Sequence, residues 1–179
     1  MARVAVFCSS SEVLSPMFYS EAEAVGEGLV NAGHSIVFGG ASMGMMARMA
    51  NAALVAGGEV HGILPELDFA AGIAHTGLTK QTVVSTLAER KAAMLAQADV
   101  AVALPGGLGT LDEVFETLVL KTTNQWPKPF WFLNTFDFWT PTLEALTLMH
   151  ESRMINRPLA ELFDVAERRE DLIKGLRGI

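Results

Sequence analysis

Val100-Ala101-Val102-Ala103-Leu104-Pro105-Gly106-Gly107-Leu108-Gly109-Thr110-Leu111-Asp112-Glu113 passes from an apolar stretch through a glycine loop into apolar residues at helical spacing, continued by Val114, Phe115, Leu118 and Val119. The order is strand, loop, helix. In an open parallel sheet this places a flexible backbone and a helix N-terminus at the carboxyl end of a strand, where free N–H groups and the helix dipole favour a bound anion. Phosphate is the first expectation. The loop is neither a Walker loop nor a Gly-x-Gly-x-x-Gly fingerprint, so the usual nucleotide motifs do not account for it. Thr110 and Glu113 also fit a Ser/Thr-x-x-Glu capping box, which sets a purely structural role for Glu113 beside any chemical one.

The same alternation extends both ways along the chain. Val4 to Cys8 reads as a strand, Pro16 to Ala32 as a helix closed by Gly33, and Ser35 to Phe38 as a strand ending at Gly39-Gly40. A helix over Gly44 to Ala56, a strand over Glu59 to Leu64, a short strand over Gln81 to Val84 and a helix over Thr86 to Ala98 precede the glycine loop. Pro129 to Leu133 as a strand, Pro141 to Ser152 as a helix, Leu162 to Val165 as a weak strand and a terminal helix from Glu167 follow it. This pattern predicts one Rossmann-like α/β domain over residues 1–179, a doubly wound and mostly parallel sheet with helices on both faces. Three loops should then meet at the carboxyl edge of the sheet: Ser9 to Ser11, Gly39 to Gly44 and Pro105 to Thr110. The stretch Glu66 to Lys80 has no clear period, and a loop of that length in a compact domain is often functional.

Composition narrows the function classes. The 13 Lys plus Arg against 20 Asp plus Glu give a net charge of -7, and no basic block offers a nucleic-acid footprint. The single cysteine, Cys8, has no internal partner and sits in an apolar strand, as expected of a reduced thiol in the cytoplasm. The apolar run after Arg3 is too short for a signal-peptide core, and no longer run predicts a membrane span.

Thr86-Leu87-Ala88-Glu89-Arg90-Lys91 carries the reaction clue. Thr86 and Glu89 form a capping box, which is the preferred role of Glu89. Arg90 and Lys91 fall in the early turns of the same helix, where the macrodipole disfavours each cation by a few tenths of a kcal/mol up to about 1. On helix position alone, removing the Arg90 charge leaves stability unchanged or raises it by at most about 1 kcal/mol. An anionic ligand and a solvated surface pair are equal readings of this cation pair.

Taken together, Ala88-Glu89-Arg90-Lys91 and Pro105 to Glu113 resemble the LONELY GUY (LOG) family of cytokinin-activating phosphoribohydrolases, long labelled possible lysine decarboxylases. Val6-Phe7-Cys8-Ser9-Ser10-Ser11, Phe38-Gly39-Gly40-Ala41-Ser42-Met43-Gly44-Met45-Met46 and Gly62-Ile63-Leu64-Pro65 are similar to that family in the same order. The resemblance implies hydrolysis of the N-glycosidic bond of a purine nucleoside 5′-monophosphate, AMP or an N6-substituted AMP, to free base and ribose 5-phosphate. It makes Arg90 and Glu113 the catalytic pair. Lys91, Gly40 and the segment Gly106, Gly107, Leu108, Gly109, Thr110, Leu111 and Asp112 would hold phosphate and ribose. It also implies a homodimer. Cleavage of C1′–N builds positive charge on the ribose, so a nearby carboxylate is the residue type required, and an arginine fork suits the positioning of phosphate or carboxylate. Neither role requires a metal or cofactor, and no metal-ligand spacing is present. A pyridoxal-dependent decarboxylation is disfavoured, because no lysine stands in a recognisable cofactor context. A non-catalytic nucleotide carrier on the same fold is the alternative.

The chain departs from the family pattern at several positions. Met-His-x-Arg-Lys is Leu87-Ala88-Glu89-Arg90-Lys91 here, Ser9 and Ala41 replace glycines, and Thr-Trp-x-Gln-Leu-Gly is Val119-Leu120-Lys121-Thr122-Thr123-Asn124. The loop Phe69 to Gly77 lacks the acidic residue that members often place near the substrate. These changes leave phosphate handling intact and bear on the choice of base. His34, His61, His75 and His150 read as structural. Met43, Met45, Met46 and Met49 suit an apolar pocket or the helix core, and Trp126, Trp131 and Trp139 suit core or subunit contacts.

Overall fold

The computed structural model describes Met1–Ile179. In chain order it contains β1 (Arg3–Phe7), α1 (Pro16–Asn31), β2 (Ser35–Phe38), α2 (Gly44–Val55), β3 (Val60–Pro65), α3 (Glu66–Ala70), β4 (Lys80–Val84), α4 (Leu87–Gln97), β5 (Val100–Ala103) and α5 (Leu108–Thr122). Then follow β6 (Phe130–Leu133), a 3-10 turn (Thr135–Asp137), α6 (Thr140–Glu151), α7 (Leu159–Leu162), β7 (Asp164–Ala166) and α8 (Arg169–Leu176). The seven strands form one sheet in the order β4-β3-β2-β1-β5-β6-β7, and every pairing is parallel.

Central strands buried on both faces read as continuous apolar runs, because alternate side chains enter different cores. Val4, Val6 and Cys8 of the first strand and its end pack with α1, α2 and α8; Ala5 and Phe7 pack on the opposite face with α4, α5 and α6. β5 divides the same way, Val100 and Val102 to one side and Ala101 and Ala103 to the other. The glycines permit the closest approaches: a Cβ on Gly26 would lie 2.2 Å from the Met49 carbonyl oxygen, so α1 and α2 touch backbone to backbone there. No helix is long and apolar enough to cross a membrane.

Two stretches differ from the sequence expectation. The weak strand predicted over Leu162 to Val165 begins at Asp164, and Leu162 instead closes α7, which starts after Pro158 and buries Leu162 in the core. A short apolar run does not distinguish strand from helical turn. The stretch Glu66 to Lys80 opens with α3, which has Glu66 and Asp68 in its first turn and no buried residue. Beyond α3, the Ser42 N–H and hydroxyl both donate to the Ile73 carbonyl at 2.8 Å, and His75 N–H donates to Gly40 at 2.9 Å. This long connection is therefore docked on the loop that follows β2.

Candidate active site

The strand order reverses between β1 and β5, and the loops leaving those strands frame a crevice there. The loops meet as expected. Ser9 N–H donates to the Pro105 carbonyl and Met46 N–H to the Ser9 carbonyl, each at 3.3 Å. Gly44, at φ +57°, comes so close to Ser10 that a Cβ would sit 2.5 Å from its carbonyl carbon. An apolar cleft of about 300 Å³ opens here between Leu14, Phe18, Met45 and Phe138 on one side and Gly106 and Gly107 on the other.

Gly107 is the N-cap of α5, and no side chain caps it. This overturns the capping box read from Thr110 and Glu113: the helix starts at Leu108, three residues before the box requires, and Thr110 is already buried inside it. The Gly-Gly pair makes the early start possible, since a Cβ on Gly106 would lie 2.1 Å from Thr110 Oγ1. The N–H groups of Gly107, Leu108, Gly109 and Thr110 make no bond within the protein. They are four orphan donors at the positive end of a helix of 15 residues, with no acidic residue in its first turn. Gly40 sits at φ +77° in the loop after β2.

α4 supplies the cations, and its own start follows the sequence expectation. Thr86 Oγ1 accepts from Glu89 N–H at 3.1 Å, and the Glu89 carboxylate accepts from Ser85 N–H at 2.9 Å, one residue earlier than in the standard box. Thr86→Ala is expected to lower stability by about 1 kcal/mol, read as a shift in denaturant midpoint at constant slope.

Arg90 and Glu113, 23 residues apart, meet in an ion pair with Arg90 Nη2 3.0 Å from Glu113 Oε1. The Arg90 side chain is 13% exposed and that of Glu113 2%. Arg90 also lies against the loop after β2, with Nη1 3.4 Å from where a Gly39 Cβ would stand. Burial pushes the Glu113 carboxyl up to about 7; the Asp112 charge adds to this, and Arg90 and Lys91 oppose it. Arg90 Nε and Glu113 Oε2 are buried without a partner. An unpaired buried polar atom costs about 1–3 kcal/mol, so this ion pair holds two atoms that a further hydrogen-bond partner would satisfy. Beneath them Cys8 is buried, its thiol pushed up by burial and by the Glu113 charge.

Lys91 Nζ donates to both oxygens of Asp112 at 2.8 Å and is also bonded to Glu116. This overturns one of the two readings of the α4 cations: neither is a solvated surface charge, and carboxylates of α5 accompany them within the protein. Glu116 was missed. The signal lay in the spacing, since Asp112, Glu113 and Glu116 share one turn of α5.

The histidines are held within the fold. His75 Nδ1 accepts from Gly77 N–H at 3.1 Å while Nε2 meets Asn51 Oδ1 at 3.0 Å, and His61 Nε2 meets Thr82 Oγ1 at 2.9 Å. Met45, Met46 and Met49 are core residues, Met45 lining the cleft as well. Trp126 and Trp139 are buried, and Trp131 packs against Gly175 of α8. No group of three or more His, Cys, Asp or Glu is arranged to hold a metal ion.

Proteins similar in sequence and in fold are known. The chain is 39% identical over 145 residues to the cytokinin riboside 5′-monophosphate phosphoribohydrolase of Rhodococcoides fascians, a match covering 80% of this chain and 73% of that protein. It is 32% identical to the protein of the same name, LOG, from Oryza sativa subsp. japonica, over 82% of this chain and 60% of the rice protein. Among solved structures, the molybdenum cofactor carrier protein of Chlamydomonas reinhardtii superposes with a TM-score of 0.74 over 98% of this chain and 95% of that one; at 22% identity the likeness is one of fold. Residues 45–176 match the family described as possible lysine decarboxylase, and the chain belongs to that family, the LONELY GUY family of phosphoribohydrolases.

Proposed function

We propose that this protein is a phosphoribohydrolase that cleaves the N-glycosidic bond of a purine nucleoside 5′-monophosphate, AMP or an N6-substituted AMP. The observation that carries this reading is the buried Arg90–Glu113 pair, with one unsatisfied atom on each partner, close to a helix N-terminus with free N–H groups. The 5′-phosphate accepts from the N–H groups of Gly107 to Thr110, and the space beside Gly107 and Gly109 is open, whereas that beside Gly40 and Gly106 is filled by Gly62 and Ile63 and by Thr110. Lys91 fixes Asp112, which accepts from ribose hydroxyls.

As the C1′–N bond lengthens, its electron pair leaves with the base and positive charge grows on the ribose. The ionised Glu113 faces that charge; water adds to C1′ and gives one proton to Glu113, which passes it to the departing base nitrogen. A group titrating near 7 can hold and release a proton at neutral pH. Arg90, permanently charged, keeps the carboxylate oriented. The residues assigned here supply these steps without a metal or cofactor.

The working unit is one nucleotide-binding domain, residues 1–179, acting in the cytoplasm as a homodimer. Exposed Leu87 on α4 and Phe115 and Val119 on α5 supply an apolar face for the second copy. A non-catalytic nucleotide carrier on the same fold is the alternative reading. A carrier needs the glycine loop but has no use for a buried carboxylate of raised proton affinity.

Phosphate recognition is tested by comparing AMP with adenosine. AMP is expected to bind and react, with adenosine at least about a hundredfold poorer in kcat/KM, because without the phosphate the loop donors have no anion to meet. Equal turnover of the two removes the phosphate assignment.

A further inference from the structure

α4 brings two adjacent cations to α5, which answers with three carboxylates, and the pairing is sorted. Arg90 goes to Glu113, while Lys91 goes to Asp112 and Glu116. Two hydrogens of the Lys91 ammonium are taken by the two Asp112 oxygens, and Glu116 takes the third. None remains for Glu113. Asp112 and Glu116 are four residues apart on one helix face, a like-charge spacing that disfavours the helix unless a cation stands between them. Lys91 is that cation, with its side chain only 12% exposed.

We propose that Glu116 is a positioning residue for the hydrolysis: it holds the Lys91 ammonium on Asp112 and off Glu113, leaving the catalytic carboxylate to Arg90 and the substrate. This rests on the phosphoribohydrolase reading. The groups that face Glu113 are Arg90 and Lys91 from α4, Asp112 from its own helix and Cys8 at the end of β1. Glu116 stands three residues from Glu113 on the same helix, so direct repulsion between the two carboxylates acts in the same direction as an influence through Lys91, and the Lys91→Met background separates the two. In Glu116→Gln the third N–H of Lys91 keeps only an uncharged amide oxygen, a weaker acceptor than a carboxylate, and turns toward the ionised Glu113, competing with Arg90.

The test follows the Glu113 carboxyl by carbon-detected NMR, its resonance identified by its absence in Glu113→Gln. In Glu116→Gln the Glu113 midpoint is expected to fall by about half a unit, and in Lys91→Met to rise. Adding Glu116→Gln to Lys91→Met should move it no further. The limb of kcat/KM against pH for AMP should shift with the midpoint in Glu116→Gln, which a loss of stability alone does not produce. An unmoved midpoint in an active protein overturns the proposal alone, as does an equal shift with and without Lys91. The NMR shift without any AMP turnover by the parent protein overturns the hydrolytic reading and the catalytic part of this proposal with it.

Discussion

Glu113→Gln is expected to lower AMP hydrolysis by at least about a thousandfold while the folded protein stays close to its parent in stability. The amide keeps an acceptor for Arg90 Nη2 and fills the same volume, so the local packing survives. What is lost is the charge that faces the ribose and the site that takes up the proton. The pH dependence of stability provides an internal control. A carboxyl raised on folding from 4.5 to about 7 makes the folded state bind its proton more tightly than the unfolded state. Its contribution to stability is complete below pH 4.5 and is lost as pH rises through about 7. Denaturation of the parent should show that loss, and Glu113→Gln should lack it. A variant that is folded, lacks the slope and is fully active would leave Glu113 with a structural role only.

Arg90→Ala is expected to remove activity as completely, and here the structure reverses a sequence expectation. Helix position alone predicts unchanged or slightly higher stability. The ion pair predicts the opposite: without Arg90, the ionised Glu113 is buried with no charged partner, and breaking such a pair costs about 3 kcal/mol. That cost should grow as pH rises above about 7, where the parent's Glu113 is ionised, and vanish below about pH 6; without Arg90 the Glu113 carboxyl holds its proton to a higher pH than in the parent. Arg90→Lys separates charge from geometry. Lysine restores the charge and much of the stability but not the planar fork, so kcat/KM should remain at least about a hundredfold below the parent. Near-complete recovery would mean that a point charge suffices, and chemical denaturation at pH 6 and 8 with AMP kinetics distinguishes these outcomes.

The fold was legible because its signals are local. The runs Val4 to Cys8, Ile36 to Phe38 and Val100 to Leu104 are apolar on both alternations, as strands covered by helices on both faces must be. The glycine loop announced its place at the sheet edge for the same reason. What lay hidden depends on distance along the chain or on burial. The partners of Arg90 and Lys91 lie 23 and 21 residues away, so helix position could reveal two disfavoured cations but not what accompanies them. Thr110 and Glu113 had capping-box spacing, yet the glycines at 106 and 107 let the helix begin earlier and turned Glu113 into the interior. Its raised proton affinity follows from that burial, which no spacing rule supplies. Glu116 went unread because its partner is Lys91 across the helix pair rather than a neighbour in sequence.

The central claim is tested most directly by incubating the protein with AMP and with an N6-substituted AMP and quantifying free base and ribose 5-phosphate. The phosphoribohydrolase reading predicts the two products in equal amounts, many turnovers per protein molecule, and no release from the Glu113→Gln protein. Stoichiometric binding of intact nucleotide, with no base released and with the same affinity in Glu113→Gln, would contradict it and identify a carrier.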